Sequence, residues 1–307
     1  PGSDESTLRV TDVIYGPTGV GRGDVYSLAG KGRPTFRAYQ DSEKLYVKLF
    51  NTYMSNSQIQ QLKDYVSQSS LFTQVEVTEE DLDVIFRFQL AEPLWGYDIT
   101  YGQEGGVNIF ARPRPALSTG GQPLSNIIIA VDAGHGGTDP GAIGIPGTEG
   151  AMEKDITLAT AQALQKRLQN LGATVIFCRE GDSSVSMNDR MALTNDQDAD
   201  LFISLHCNSI GYTQDANKPS GTEVYYFENI AKDFASMLSA NVASATGRTN
   251  RGAKLSNYRV TLNTYAPAVL VEMGFLTNPA EYDQMTSKQG IYQTVNGISD
   301  SILDFLS

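Results

Sequence analysis

The period of the hydrophobic positions changes once along the chain. From Leu8 to Pro115 apolar and polar residues mostly alternate: Leu45, Val47 and Leu49 are separated by Tyr46 and Lys48, and Leu82, Val84, Phe86, Phe88 and Leu90 enclose Asp83, Arg87 and Gln89. A period of two predicts half-buried antiparallel strands, and Tyr97, Ile99 and Tyr101 continue it. Ile59, Leu62 and Val66 recur at helical spacing instead, so 57–66 predicts one short helix crossing the sheet. The first part of the chain is expected to be a small β-rich domain over 1–116.

Residues 117–125, rich in Gly, Ser and Pro, predict a linker. Beyond it short apolar runs alternate with longer stretches of helical period. Strands are expected at 127–132, 174–178, 201–205, 224–227 and 268–271, and helices at 154–171, 187–197, 230–245 and 291–306. This second domain, 126–307, is expected to be α/β, a mostly parallel sheet flanked by helices.

The chemistry gathers at strand ends. The chain has two histidines: His135 follows the run Ile127–Val131 in a glycine-rich turn, and His206 ends the run Leu201–Leu205. Glu272 closes a third run, Pro267–Val271. In open α/β sheets ligands collect outside the carboxyl ends of the strands, so both imidazoles and a carboxylate are expected in one crevice. Glu149 and Glu153 are further carboxylates near His135. Two histidines and one carboxylate are a common catalytic zinc set, with another carboxylate nearby to take a proton. The glycine turn does not fit a dinucleotide fingerprint, because Asp139 stands where its last glycine is required. Asp132 and Asp139 are candidate supports or turn caps, Asn208 a substrate contact or a cap, and Arg179 and Arg190 candidate braces through salt bridges.

Composition narrows the classes. The 307 residues are 40% hydrophobic with a formal net charge of −12, and no Lys/Arg cluster is present, which argues against nucleic acid as a partner. No apolar run approaches the roughly 20 residues of a membrane helix. Cys178 and Cys207 lie inside apolar runs and predict buried thiols. Glu79–Asp81 predicts a solvated acidic turn. Trp95, Tyr97 and Tyr101 are candidates for the core or for stacking on sugars. The start at Pro1 without methionine looks like a processed terminus.

The second half resembles the zinc-dependent N-acetylmuramoyl-L-alanine amidases, bacterial enzymes that cut the amide between the lactyl group of N-acetylmuramic acid and the first alanine of the peptidoglycan stem. The resemblance runs from Ile127 to Leu306 through VDAGHGGTDPGAIG, EKDITLA, REGDSSVSMNDR, ADLFISLHCNS, GTEVYYF and PAVLVEMGFLTN, in the family's order. It implies one zinc per chain held by His135, Glu153 and His206, with Glu272 as catalytic base and acid. Glu149, in a somewhat longer insertion than usual, is the rival to Glu153, which is preferred because Lys154-Asp155-Ile156 continues the family pattern. The first half resembles, by strand pattern, size and position, the AMIN-type wall-targeting domain. Together these imply peptidoglycan as the partner and an extracytoplasmic location.

Two rivals stand beside this reading: a catalytically silent wall-binding protein, and a zinc peptidase acting on another amide. Some amidases of the family carry an inserted helix that plugs the zinc. Here only Glu228-Asn229 separate the expected strand and helix, so no activator is expected to be needed.

Overall fold

A computed structural model describes residues 5–16, 22–145, 151–211 and 214–307. The chain divides into two compact units, 1–114 and 115–307.

The first unit contains β1 (Leu8–Tyr15), β2 (Asp24–Lys31), β3 (Phe36–Gln40), β4 (Lys44–Leu49), β5 (Thr52–Tyr53), α1 (Asn56–Val66), β6 (Phe72–Glu80), β7 (Asp83–Leu90), β8 (Gly96–Tyr101) and β9 (Val107–Arg112). They form a five-stranded sheet, β5-β1-β2-β9-β8, and a four-stranded sheet, β3-β4-β7-β6. All pairings are antiparallel except β1 with β5. The alternation Leu45/Val47/Leu49 and Val84/Phe86/Phe88 supplies one core, which Leu8, Tyr26, Leu28 and Ile109 of the other sheet complete. Helix α1 starts at a capping box between Ser55 and Gln58 and buries Leu62 and Val66 in the same core. Trp95 and Tyr97 are buried and Tyr101 is exposed; Glu79 and Glu80, expected in an acidic turn, instead end β6, with Asp81 opening the turn that follows, and all three are exposed.

The second unit contains β10 (Ile128–Ala133), α2 (Glu153–Asn170), β11 (Thr174–Phe177), α3 (Met187–Asp196), β12 (Leu201–Asn208), β13 (Thr222–Tyr226), α4 (Lys232–Thr246), β14 (Asn250–Leu255), β15 (Ala268–Phe275), α5 (Pro279–Thr286) and α6 (Lys288–Leu306). The sheet order is β11-β10-β12-β15-β13-β14. It is mixed: β11, β10, β12 and β15 run parallel, whereas β13 pairs antiparallel to β15 and parallel to β14. Strand β14 was not foreseen, because Asn-Arg-Gly-Ala-Lys-Leu has no apolar period and lies at the sheet edge. The end of the expected linker is fastened to this unit. Leu124 is fully buried and its N–H donates to the Leu171 carbonyl at 2.9 Å.

Strand alternation decides where chemistry can occur. Ala130, Phe202, Ala268 and Leu270 point into the core under α3 and the 3-10 turn Arg259–Thr261. Asp132, Ser204, His206 and Glu272 lie on the same face one or two pleats further on, by the period of two. Side chains at the carboxyl ends of β10, β12 and β15 therefore converge beside α3. Helix α6, whose apolar stripe includes Val295, Ile298, Ile302 and Phe305, packs with α2 and α4.

Candidate metal centre and its cleft

Three side chains meet where β10, β12 and α2 come together. His135 Nε2 lies 3.1 Å and His206 Nδ1 2.9 Å from the same oxygen, Glu153 Oε1. Glu153 opens α2 and is 3% exposed. Its Oε1 also accepts from the Cys207 N–H at 2.9 Å and its Oε2 from the Ala142 N–H at 2.7 Å. Among the described residues this trio alone offers three clustered donors suited to a metal. Glu149, the rival carboxylate, lies outside the described residues.

The donor set fits a small, borderline-soft dication. Ligand atoms on a tetrahedral zinc with bonds of about 2.0–2.1 Å stand about 3.3 Å apart, near the separations seen here. His135 Nδ1 is 2.8 Å from Asp139 Oδ2; a carboxylate behind the imidazole is a recurring support for metal-binding histidines, and a proton held on Nδ1 would leave the Nε2 lone pair to a metal in place of the hydrogen bond to Glu153. Electrostatics agree. The Glu153 hydrogen bond raises the His135 pKa to about 9, against the effect of burial. Burial pushes Glu153 upward, but hydrogen bonds from His135 and His206 more than reverse this and hold it well below the usual carboxylate range. A site that draws a proton so strongly also draws a cation.

The loop carrying His135 is built for close approach. His135 has φ of +62°, uncommon for a residue with a side chain, and it is held there by two buried guanidiniums. Arg179 donates to the carbonyls of Ala133 (2.9 Å), Gly134 (3.1 Å) and Lys154 (2.7 Å). Arg190 donates to those of Ala133 (3.0 Å) and His135 (2.7 Å) and forms an ion pair with buried Asp132. Of the two expected salt-bridge braces, only Arg190 uses a carboxylate; Arg179 braces through carbonyls. Ser204 Oγ donates to the other Asp132 oxygen at 2.7 Å. A methyl on Gly134 would lie 2.4 Å from His206 Cε1, and one on Gly141 2.5 Å from Glu153 Oε2.

Glu272 sits beside this cluster, in register with His206 on the neighbouring strand. It lies within β15 instead of just beyond it, since the strand continues to Phe275. Its Oε2 is buried with no hydrogen-bond partner among the described residues. Burial, with the nearby carboxylates Glu153 and Glu223 adding to it and the histidines opposing, raises its pKa to about 7. His135, His206 and Glu272 line a cavity of about 330 Å³ whose outer wall includes Met187, Tyr258 and Arg259.

Two groups near the site were not singled out in the sequence. Glu223, on β13, is buried and binds Asn208 Nδ2 at 2.8 Å, the Tyr225 hydroxyl at 2.7 Å, Arg251 Nε at 2.6 Å and Lys254 Nζ. Asn208 is thus tied to Glu223, its Oδ1 taking the Ser209 N–H. The signal was a glutamate in a strand of otherwise apolar character; its cations come from the unforeseen β14. The second group is the Tyr258–Arg259 pair, legible only once its turn is placed over the cleft. Both cysteines are free, Cys207 buried and Cys178 partly so.

A family profile described as N-acetylmuramoyl-L-alanine amidase matches residues 129–304. The chain is 36% identical over 187 residues to the protein named "Probable cell wall amidase LytH" of Staphylococcus saprophyticus; the match covers 61% of this chain and 60% of that relative's length. It is similar to the catalytic domain of CwlV, N-acetylmuramoyl-L-alanine amidase of Bacillus (Paenibacillus) polymyxa var. colistinus, with TM-score 0.54 and 34% identity over 59% of this chain and 98% of that one. It is also similar to the CwlD amidase of Clostridioides difficile, solved in complex with the GerS lipoprotein, with TM-score 0.54 and 26% identity over 59% and 98% of the two chains.

Proposed function

The chain belongs to the N-acetylmuramoyl-L-alanine amidase family, and on that premise we propose that it hydrolyses the amide joining the lactyl group of N-acetylmuramic acid to L-alanine in peptidoglycan, with one zinc ion held by His135, Glu153 and His206. The observation that carries this reading is the convergence of two imidazoles on a buried carboxylate with an unpartnered second carboxylate alongside. Zinc bound there supplies Lewis acidity, acidifying water at neutral pH and polarising a carbonyl.

The rest of the chemistry belongs to the chain. Asp139 fixes the His135 tautomer, and Arg179 and Arg190 hold the loop at the required backbone angle. Glu272, which lines the cavity, has a raised pKa and keeps one oxygen without a partner among the described residues, takes a proton from the attacking water and passes it to the leaving alanine nitrogen. A carboxyl group titrating near neutrality serves in both directions.

The first unit is read as an AMIN-like wall-targeting module, supported by its β-rich build and its place before the amidase unit. The substrate implies work outside the cytoplasmic membrane; no helix among the described residues is long and apolar enough to cross one. Only Phe227 and Glu228 stand between β13 and the 3-10 turn at Asn229. This supports a cleft free of a plugging helix at that point, and hence turnover without an activator.

The test is product analysis by mass spectrometry on purified sacculi, with metal analysis of the protein. New alanine amino termini on released stem peptides and one zinc per chain, lost in His206→Ala, are expected. Cleavage at another amide would replace this reading with that of a different peptidase.

A further inference from the structure

Arg259 is a cation of the cleft wall that has no anionic partner among the described residues. It opens the turn Arg259–Thr261, whose backbone is fixed from below: Val260 and Thr261 are buried, and Thr261 Oγ1 donates to the carbonyls of Ser256 and Tyr258 at 3.0 and 2.9 Å. The side chains of Tyr258 and Arg259 are exposed and line the cavity that holds His135, His206 and Glu272. Arg259 Nη2 donates to Asn188 Oδ1 at 3.1 Å. No carboxylate among the described residues lies within ion-pair distance of it. The other cations around the site are engaged: Arg190 with Asp132, Lys154 with Asp182, Arg251 and Lys254 with Glu223. A guanidinium with an N–H edge to spare and a neutral side chain steering it is suited to bidentate capture of a carboxylate.

Resting on the amidase reading, we propose that Arg259 recognises a carboxylate of the substrate's stem peptide and so sets which stems the enzyme prefers. The chemistry of the substrate points to the peptide side. In muramic acid the lactyl carboxyl is consumed in the scissile amide, so the anionic groups of the substrate unit are those of the peptide. Met187 and Tyr258, 53% and 42% exposed beside Arg259, give the aliphatic parts of such a peptide an apolar surface. In a chain of net charge −12, an unpaired cation at the cleft also offsets the general repulsion of an acidic substrate.

The experiment compares two soluble substrates: a muramoyl-tripeptide with its peptide carboxyl groups free, and the same compound with each converted to a carboxamide. Wild-type protein, Arg259→Gln and Arg259→Lys are assayed for kcat and KM, with zinc content and melting temperature as controls. The expected result is a KM for the carboxylate substrate raised on the order of tenfold or more in Arg259→Gln. For that variant kcat should change little, the carboxamide substrate should be almost unaffected, and Arg259→Lys should recover part of the loss. Equal effects on both substrates, or none, overturn the assignment while leaving the amidase reading intact. If wild-type protein with full zinc cleaves neither compound, the amidase reading fails and the assignment fails with it.

Discussion

Glu223 and Glu272 stand directly opposite each other on β13 and β15 and have opposite electrostatic surroundings. Burial pushes Glu223 upward, but Lys254, Arg251 and the Tyr225 hydroxyl outweigh it and bring the pKa down to about 2. Glu272 lacks such partners, keeps one buried oxygen unbonded and is raised to about 7. Two adjacent carboxylates at one sheet end are thus separated by environment, one held ionised as a strut and the other raised toward neutrality, and the proposed proton-carrier role of Glu272 rests on that separation.

Glu272→Gln is expected to retain zinc and a near wild-type melting temperature while losing turnover by about 10²–10⁴-fold. Metal analysis and single-turnover assays check this. Loss of zinc in the variant would make Glu272 a ligand and the proton-carrier role untenable.

Gly134→Ala tests the architecture of the centre without touching a donor atom. The new methyl would press on the His206 ring, so metal affinity should fall sharply. Gly181→Ala, where a methyl meets nothing within 4 Å, is the matched control and should bind zinc as wild type does. Competition with a chromogenic chelator reads both.

The strut carries a pH signature. A carboxylate whose folded pKa is depressed contributes stability that is fully present above its unfolded value, about 4.5, and is lost as pH falls through the folded value near 2. Glu223→Gln should therefore be less stable than wild type at pH 6, with the gap narrowing between pH 4.5 and 2 as the wild type loses its charge. Denaturant unfolding at fixed pH values measures it; a gap that stays constant across that window would remove the ionised role.

Much of this was readable in the residues, and what was missed has a physical cause. Strand ends at His135, His206 and Glu272 were legible because parallel strands buried on both faces read as unbroken apolar runs. Tyr46, Lys48 and Arg87 alternate with core positions because their sheet has one wet face. Strand β14 was not legible: an edge strand of Asn, Arg, Gly and Lys is held by pairing and by the buried charge of Glu223, not by its own apolar period. The antiparallel placement of β13 was equally hidden, since periodicity gives no direction. Arg259 became visible only through the turn that brings residues 258–260 over the cleft, a long-range contact that no local pattern encodes.

The proposed division of labour between the two units gives the last prediction. Leu124 is fully buried and bonded to the end of α2, and the Ser118 N–H donates to the Pro123 carbonyl. A fragment begun at 124 would strip this fastening, so the fragment to compare is 115–307. All donors of the candidate centre, Glu272 and the cleft residues lie within it, and two residues between β13 and the following 3-10 turn cannot form a helix that returns to the site, because each helical residue advances only about 1.5 Å. The fragment should turn over a soluble muramoyl-peptide at the rate of the full chain with no activator, yet sediment less with purified sacculi. A fragment much faster than the full chain on the soluble substrate would make the first unit an inhibitor. One that is inactive until a second protein is added would show that assembly of the cleft, and not merely access to the wall, depends on a partner.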